Sequence, residues 1–171
     1  MIEYELTYLA KKLPADLGLY PFQEIIDLYI PDTEPHPKLR LRKSGSTYEL
    51  TKKETLDGNL SIHREHTIPL NINEYHALSI IPGHRIHKLR YFYPFGENTA
   101  EINLFLGALA GLVTIEFEFE DQNEMPTFVM PEFALINISH EIDLIGSRLA
   151  GKEYSQLASL LAKFNYQKIN Y

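Results

Sequence analysis

Val113-Thr114-Ile115-Glu116-Phe117-Glu118-Phe119-Glu120 alternates apolar and polar side chains along its whole length. Successive side chains of a strand point to opposite faces, so this stretch reads as a β-strand with Glu116, Glu118 and Glu120 on one face and Ile115, Phe117 and Phe119 on the other. The same reading extends outward to further strands. Glu3 and Glu5 share a face with Thr7, Arg40 and Arg42 share one with Lys38, Lys88 lies beside Arg90, and Glu101 lies beside Asn103, in each case opposite a largely apolar face. A solvated sheet face would also alternate, but it would mix signs. Here the β-strands of Glu3, Glu101 and Glu116 present acids only, and those of Arg40 and Lys88 present bases only. Like charges repel along and across strands, so the sorting is best explained if metal cations neutralise the acids and an anion neutralises the bases.

Strand-like segments recur at roughly 2–9, 24–31, 38–44, 46–53, 60–68, 85–93, 99–106 and 113–120, rich in β-branched, aromatic and alternating residues. Turn signals separate them: Asp32-Thr33-Glu34-Pro35, Ser44-Gly45-Ser46, Asp57-Gly58-Asn59 and Pro94-Phe95-Gly96. Ser44-Gly45-Ser46 and Asp57-Gly58-Asn59 are short enough for hairpins, which implies antiparallel pairing. Helices are expected at Glu74–Ile81, capped by Asn73, then after Ser139 with Glu141 and Asp143 in the first turn, and finally at about Glu153–Phe164 beyond Gly151. Asp121 to Ile138, with Pro126 and Pro131, reads as an irregular connection. The expected fold is mainly β (α+β), a single domain over residues 1–171 with flanking and C-terminal helices; closed into a barrel, these strands would be polar inside and apolar outside.

Composition narrows the chemistry. The 16 basic and 23 acidic residues give a net charge of −7, which argues against a nucleic-acid or anionic-membrane partner. Cysteine is absent, so thiol nucleophiles and thiolate zinc sites are excluded and a metal would use carboxylates, carbonyls or histidines. The seven histidines fall on no common metal-ligand spacing and are expected in surface or structural roles. Acids at Glu3 and Glu5 stand where a secretory signal would be basic, so a cytoplasmic location is expected. The apolar run Phe105 to Ile115 has about half the length of a membrane span and reads as core. No Walker-type loop or dinucleotide glycine fingerprint is present, so phosphate binding would rest on side chains. Arginine forks hold phosphate bidentately, lysine acts as a point charge, and magnesium takes one or two carboxylates while bridging to phosphate oxygens. A metal-bound polyphosphate fits such a lumen.

Glu3-Tyr4-Glu5 resembles the opening of the Glu-x-Glu-x-Lys signature of the CYTH proteins, the triphosphate tunnel superfamily. Leu39-Arg40-Leu41-Arg42, Tyr48-Glu49-Leu50-Thr51-Lys52, His87-Lys88-Leu89-Arg90-Tyr91, Glu101-Ile102-Asn103-Leu104-Phe105 and Glu116-Phe117-Glu118-Phe119 resemble its successive strand motifs, in order, to about Ala150. The resemblance implies a closed eight-stranded antiparallel β-barrel, a tunnel that binds triphosphate end to end. Glu3, Glu5, Glu116 and Glu118 would bind Mg2+ or Mn2+, with Glu101 and Asn103 completing the set, and Arg40, Arg42, Lys52, Lys88 and Arg90 would hold the phosphates. It singles out no catalytic base and leaves a homodimer open as the assembly.

Three positions depart from the family pattern. Thr7 stands where the signature has lysine, Thr67 where it has a tunnel glutamate, with Glu65 the nearest acid, and Asn103 where it has aspartate. The expected activity is divalent-metal-dependent hydrolysis of inorganic triphosphate or of an organic triphosphate such as a nucleotide or thiamine triphosphate. Two other readings stay open: a class IV-type adenylate cyclase, and a non-catalytic polyphosphate-binding module that has lost catalytic groups.

Overall fold

The computed structural model describes residues 1–56 and 58–171; the turn expected at Asp57-Gly58-Asn59 therefore lies partly outside the described residues. The elements are β1 (Ile2–Ala10), β2 (Phe22–Ile30), β3 (Leu39–Ser44), β4 (Thr47–Leu56), β5 (Asn59–Leu70), α1 (Ile72–Leu78), β6 (His84–Phe95), β7 (Asn98–Phe105), β8 (Val113–Phe119), β9 (Ala134–Asn137), α2 (Gly146–Leu149) and α3 (Tyr154–Lys163). Strands pair in the order β5-β4-β3-β2-β6-β7-β8-β1, and β1 returns to β5, closing an eight-stranded barrel in which every pairing is antiparallel. The eight strands stand within a few residues of their sequence-derived limits, because alternation is a signal that each strand carries by itself.

Closure depends on a change of partner along β1. Ile2–Tyr4 pair with Arg64–Ile62 of β5, while Tyr8–Ala10 pair with β9. Between the two, the backbone of Thr7 accepts from Ile138 N–H at 2.8 Å and donates to Ser139 Oγ at 2.9 Å. β9 is an addition to the sequence reading, which had only a connection there. Ser139 caps no helix either; its hydroxyl is taken by β1, and Ile142–Leu144 form a 3-10 turn before the single turn of α2. In α1 the cap is Asn71 rather than Asn73: its side chain accepts from the backbone of Asn73 and Glu74, and Glu74 accepts from Asn71 N–H, a reciprocal capping box.

The apolar faces point outward as expected, but helices cover only part of them. Leu6, Ala100, Ile102, Ile115, Phe117 and Phe119 pack beneath Met125, Phe128 and Phe133 of the connection between β8 and β9. Phe117 is fully buried, 4.5 Å from the Phe128 ring centroid and edge-on to Tyr8 and Phe95. α1 covers Leu28, Ile30 and Leu41 with Tyr75 and Leu78, and α3 contributes Leu157 and Leu161 to a third cluster at one end of the barrel. No helix among the described residues is long and apolar enough to cross a membrane.

Phe117→Ala removes the centre of the aromatic cluster and should cost about 3–5 kcal/mol of stability in urea denaturation, whereas Lys52→Ala on the exposed outer face should stay within about 0.5 kcal/mol. A Phe117→Ala cost no larger than that of Lys52→Ala would contradict the packing of the 121–133 connection on the barrel.

Candidate anion and metal site in the barrel lumen

Antiparallel register fixes which side chains meet inside. Glu5 stands opposite Glu118, Thr7 opposite Glu116, Glu101 opposite Glu116, Arg90 opposite Asn103, Arg42 opposite both Asp27 and Glu49, and Lys53 opposite Glu65. These residues face one another around a cavity of about 230 Å³ that is lined by Glu3, Glu5, Arg40, Arg42, Lys88, Arg90, Glu116 and Glu118. Glu101 reaches Arg90 from the same interior but opens onto a depression at the rim with Glu97, Glu118, Glu120 and Glu124. Below the charged zone the inward positions become apolar. Leu9, Ile86 and Phe105 cluster with Ile138, Leu144 and Leu149, so the lumen ends on an apolar floor. Gly146 permits this approach, since a Cβ there would lie 2.3 Å from the Tyr29 hydroxyl.

One expected phosphate ligand is outside. Lys52 points away from the lumen, its side chain 56% exposed and 3.5 Å from Glu54. The inward residue is Lys53, because β4 places Glu49, Thr51, Lys53 and Thr55 on the inner face. Asn103 is inside but completely buried; its Oδ1 accepts from Arg90 Nε at 2.8 Å and its amide lies near Thr114 Oγ1, so the carbonyl expected to meet a metal is committed to Arg90.

Sequence reading also missed lumen residues. Asp27 is 1% exposed and holds Arg42 through two bonds of 2.6 and 2.9 Å. Its signal was faint, a lone acid within Ile25-Ile26-Asp27-Leu28-Tyr29, and it becomes visible only from the pairing of β2 with β3. The buried His63 faces Glu5 with Nε2 3.3 Å from Oε1, a structural placement inside the lumen that the sequence did not locate. His36 touches Ser147 of α2 at the cavity wall. Glu49, not singled out in the sequence, and Glu65, expected there as the acid nearest Thr67, approach Arg40 at 3.8 and 3.7 Å. The inner rows are therefore less strictly sorted by sign than the sequence implied.

The interior cations differ in how tightly they are held. Arg42 is forked by Asp27. Arg90 is held by Glu101, Glu116 and Asn103 together. Lys53 Nζ lies 2.7 Å from Glu3 and 2.8 Å from Glu5. Arg40 has only long contacts, the shortest 3.7 Å. Lys88, 6% exposed, has no carboxylate within salt-bridge distance among the described residues and stands over the Phe105 ring. Burial, and then the Arg90 guanidinium, push the Lys88 ammonium down to about 7 against the pull of Glu116.

The acids show the converse. Burial, then the carboxylates of Glu101 and Glu3, push Glu118 up to about 7. Burial would raise Glu5 as well, but the Lys53 ammonium and His63 hold it well below the carboxylate range. Among the described residues no three acidic or histidine side chains form a ready-made metal cage. The carboxylates are drawn instead to interior cations.

No family model matches the sequence. The chain is 29% identical over 135 residues to an inorganic triphosphatase of Nitrosomonas europaea, a match that spans 77% of this chain and 85% of that protein. A solved structure of an inorganic triphosphatase superposes with a TM-score of 0.62 at 22% identity, covering 86% of this chain and 93% of its own. A Bacillus halodurans protein described as a candidate adenylate cyclase superposes at 0.54 with 11% identity, over 99% and 92% of the two chains. The barrel, the order of its strands and these superpositions agree on one fold.

An anion at Lys88 would favour the charged ammonium. Comparing wild type with Lys88→Met at each pH cancels the ligand's own titration. The wild type's advantage in calorimetric binding of inorganic triphosphate should shrink as pH rises through 7, by at most about tenfold per pH unit for one proton taken up. An advantage that stays constant from pH 6 to 9 would remove Lys88 from the anion site.

Proposed function

From a chain that has the triphosphate tunnel fold of the CYTH superfamily, we propose hydrolysis of a linear triphosphate inside the barrel, assisted by a divalent metal ion. The observation that carries this reading is the coexistence, in one lumen, of two loosely partnered cations, the buried Lys88 and the half-buried Arg40, with the carboxylates of Glu3, Glu5, Glu116 and Glu118. An unpartnered buried cation is costly, and a phosphate chain supplies the missing charge.

The donor set suits a hard divalent ion. Glu5 and Glu118 face each other across the β1–β8 pairing, and beside the desolvation that raises Glu118 the carboxylates of Glu101 and Glu3 add to the same push, which a divalent ion would relieve. In this reading Glu3, Glu5, Glu116 and Glu118 hold Mg2+ or Mn2+, which supplies charge neutralisation at the phosphate oxygens. Arg40, Arg42 and Lys88 grip the chain and stabilise charge on the transferred phosphoryl group. Water attacks the terminal phosphorus, the bond to the bridging oxygen breaks, and pyrophosphate and orthophosphate leave. Asp27 acts as a positioning residue by holding the Arg42 fork.

Two of the three departures from the family signature, Thr7 and Thr67, are offset from neighbouring strands. Lys53 brings a cation to Glu3 and Glu5, although Thr7 offers none, and Glu65 faces the lumen beside Thr67, whose hydroxyl donates to it at 3.0 Å. These replacements favour catalysis over a binding-only module. The cavity, at about 230 Å³, is smaller than the roughly 300–1,000 Å³ of sites that enclose drug-sized ligands. Its size favours inorganic triphosphate over a nucleotide.

Phosphate release from inorganic triphosphate, ATP and thiamine triphosphate, each with Mg2+ and with Mn2+, tests the proposal. Inorganic triphosphate should be turned over best, and Arg40→Ala should lower kcat/KM by about 10- to 150-fold, the equivalent of about 1.5–3 kcal/mol for one charged hydrogen bond. Cyclic nucleotide formation from ATP, or tight triphosphate binding without any turnover, would contradict it.

A further inference from the structure

Lys53 bridges two carboxylates, Glu3 and Glu5, whose oxygens a divalent ion would need, whereas Arg90 shares only Glu116 with that set. Its stem crosses from β4 past β5 to β1, where Nζ meets Oε2 of Glu3 at 2.7 Å and Oε2 of Glu5 at 2.8 Å. The other oxygen of Glu5 lies 3.3 Å from His63 Nε2. Ammonium and divalent ion cannot both occupy the space between Glu3 and Glu5. Other interior cations are held differently: Arg42 by Asp27, which lies away from β1, and Arg90 by a fork to Glu101 and Glu116 with Asn103 behind it. Lysine also differs in kind, being a compact charge on a flexible four-carbon stem rather than a rigid planar fork.

We propose that Lys53 is a mobile interior counter-ion, which neutralises Glu3 and Glu5 until a divalent ion takes their oxygens and then swings to the phosphate chain. The inference rests on the reading that Glu3 and Glu5 take a divalent ion. Its physical basis is competition followed by need. A divalent ion brings twice the charge to the two carboxylates and displaces the ammonium. The displaced ammonium, three-quarters buried, then lacks an anion, and a phosphate oxygen supplies one. Metal and phosphate are thereby coupled through Lys53 in addition to any direct contact between them, and each strengthens the binding of the other. The arrangement also accounts for a lysine reaching the carboxylates of β1 from β4 while Thr7, on β1 itself, carries no charge.

Calorimetric titration with Mn2+ alone, and with inorganic triphosphate in the presence and absence of Mn2+, distinguishes the possibilities in wild type, Lys53→Met and Lys53→Gln. The two variants guard against one failing to fold, and their unfolding midpoints are measured alongside. With the competitor gone, the folded variant should bind Mn2+ alone about tenfold or more tightly than wild type, the scale of a lost charged hydrogen bond. The factor by which Mn2+ strengthens triphosphate binding should shrink. Equal or weaker Mn2+ binding by a folded variant, with wild type binding normally, would overturn the role of Lys53 and leave the metal reading intact. Failure of wild type and variants alike to bind Mn2+ would overturn both.

Discussion

Charge enclosed by a barrel has to be neutralised inside it, and this constraint shapes the interior of the protein. Closure of β1 onto β5 turns alternate residues of eight strands toward one another and away from bulk water. Glu3, Glu5 and Glu116 and the arginines of β3 and β6 are then too close and too poorly solvated to stand alone, while Glu118 stays exposed toward the rim. The protein meets part of the demand itself. Asp27 holds Arg42, Glu101 and Glu116 hold Arg90, and Lys53 holds Glu3 and Glu5. Lys88 and Arg40 are left with distant partners, and Glu118 is left among other acids. Those residual charges, positive on one wall and negative on the other, describe the ligand: an anion accompanied by a cation.

The remainder of the fold keeps this interior narrow and closed at one end. Leu9, Ile86 and Phe105 occupy the inward positions where charge stops, and the segment from Ile138 through α2 packs against them. The aromatic face of β1, β7 and β8 lies beneath Phe128 and Phe133, so an irregular connection supplies the outer layer that helices provide elsewhere. Interior chemistry and exterior packing are thus written on alternate residues of the same strands. Phe117 anchors the outside while Glu116 and Glu118 face the lumen.

The eight barrel strands and eight lumen residues were legible in the sequence, since period-two alternation is local and needs no knowledge of partners. What escaped reading depended on pairing. The family motif points to Lys52 as the phosphate ligand, but Lys52 shares the outer face with Leu50, and the inner face of β4 runs through Glu49, Thr51 and Lys53. Asp27 was hidden within an apolar strand, and its role exists only through Arg42 on β3. β9 is a short segment whose strand character comes from the free edge of β1 rather than from its own composition. The cap at Asn71 lost out to Asn73 by two positions, because both asparagines precede the helix and only the reciprocal bond with Glu74 separates them.

Diffraction from crystals grown with inorganic triphosphate and Mn2+, using the anomalous signal of manganese, tests the central claim most directly. The account predicts manganese within coordination distance of Glu3, Glu5, Glu116 or Glu118, and a phosphate chain running from it to Lys88 and Arg40 within the barrel. Manganese confined to the rim acids Glu97, Glu120 and Glu124, or a phosphate chain bound outside the barrel with Lys88 and Arg40 untouched, would contradict it.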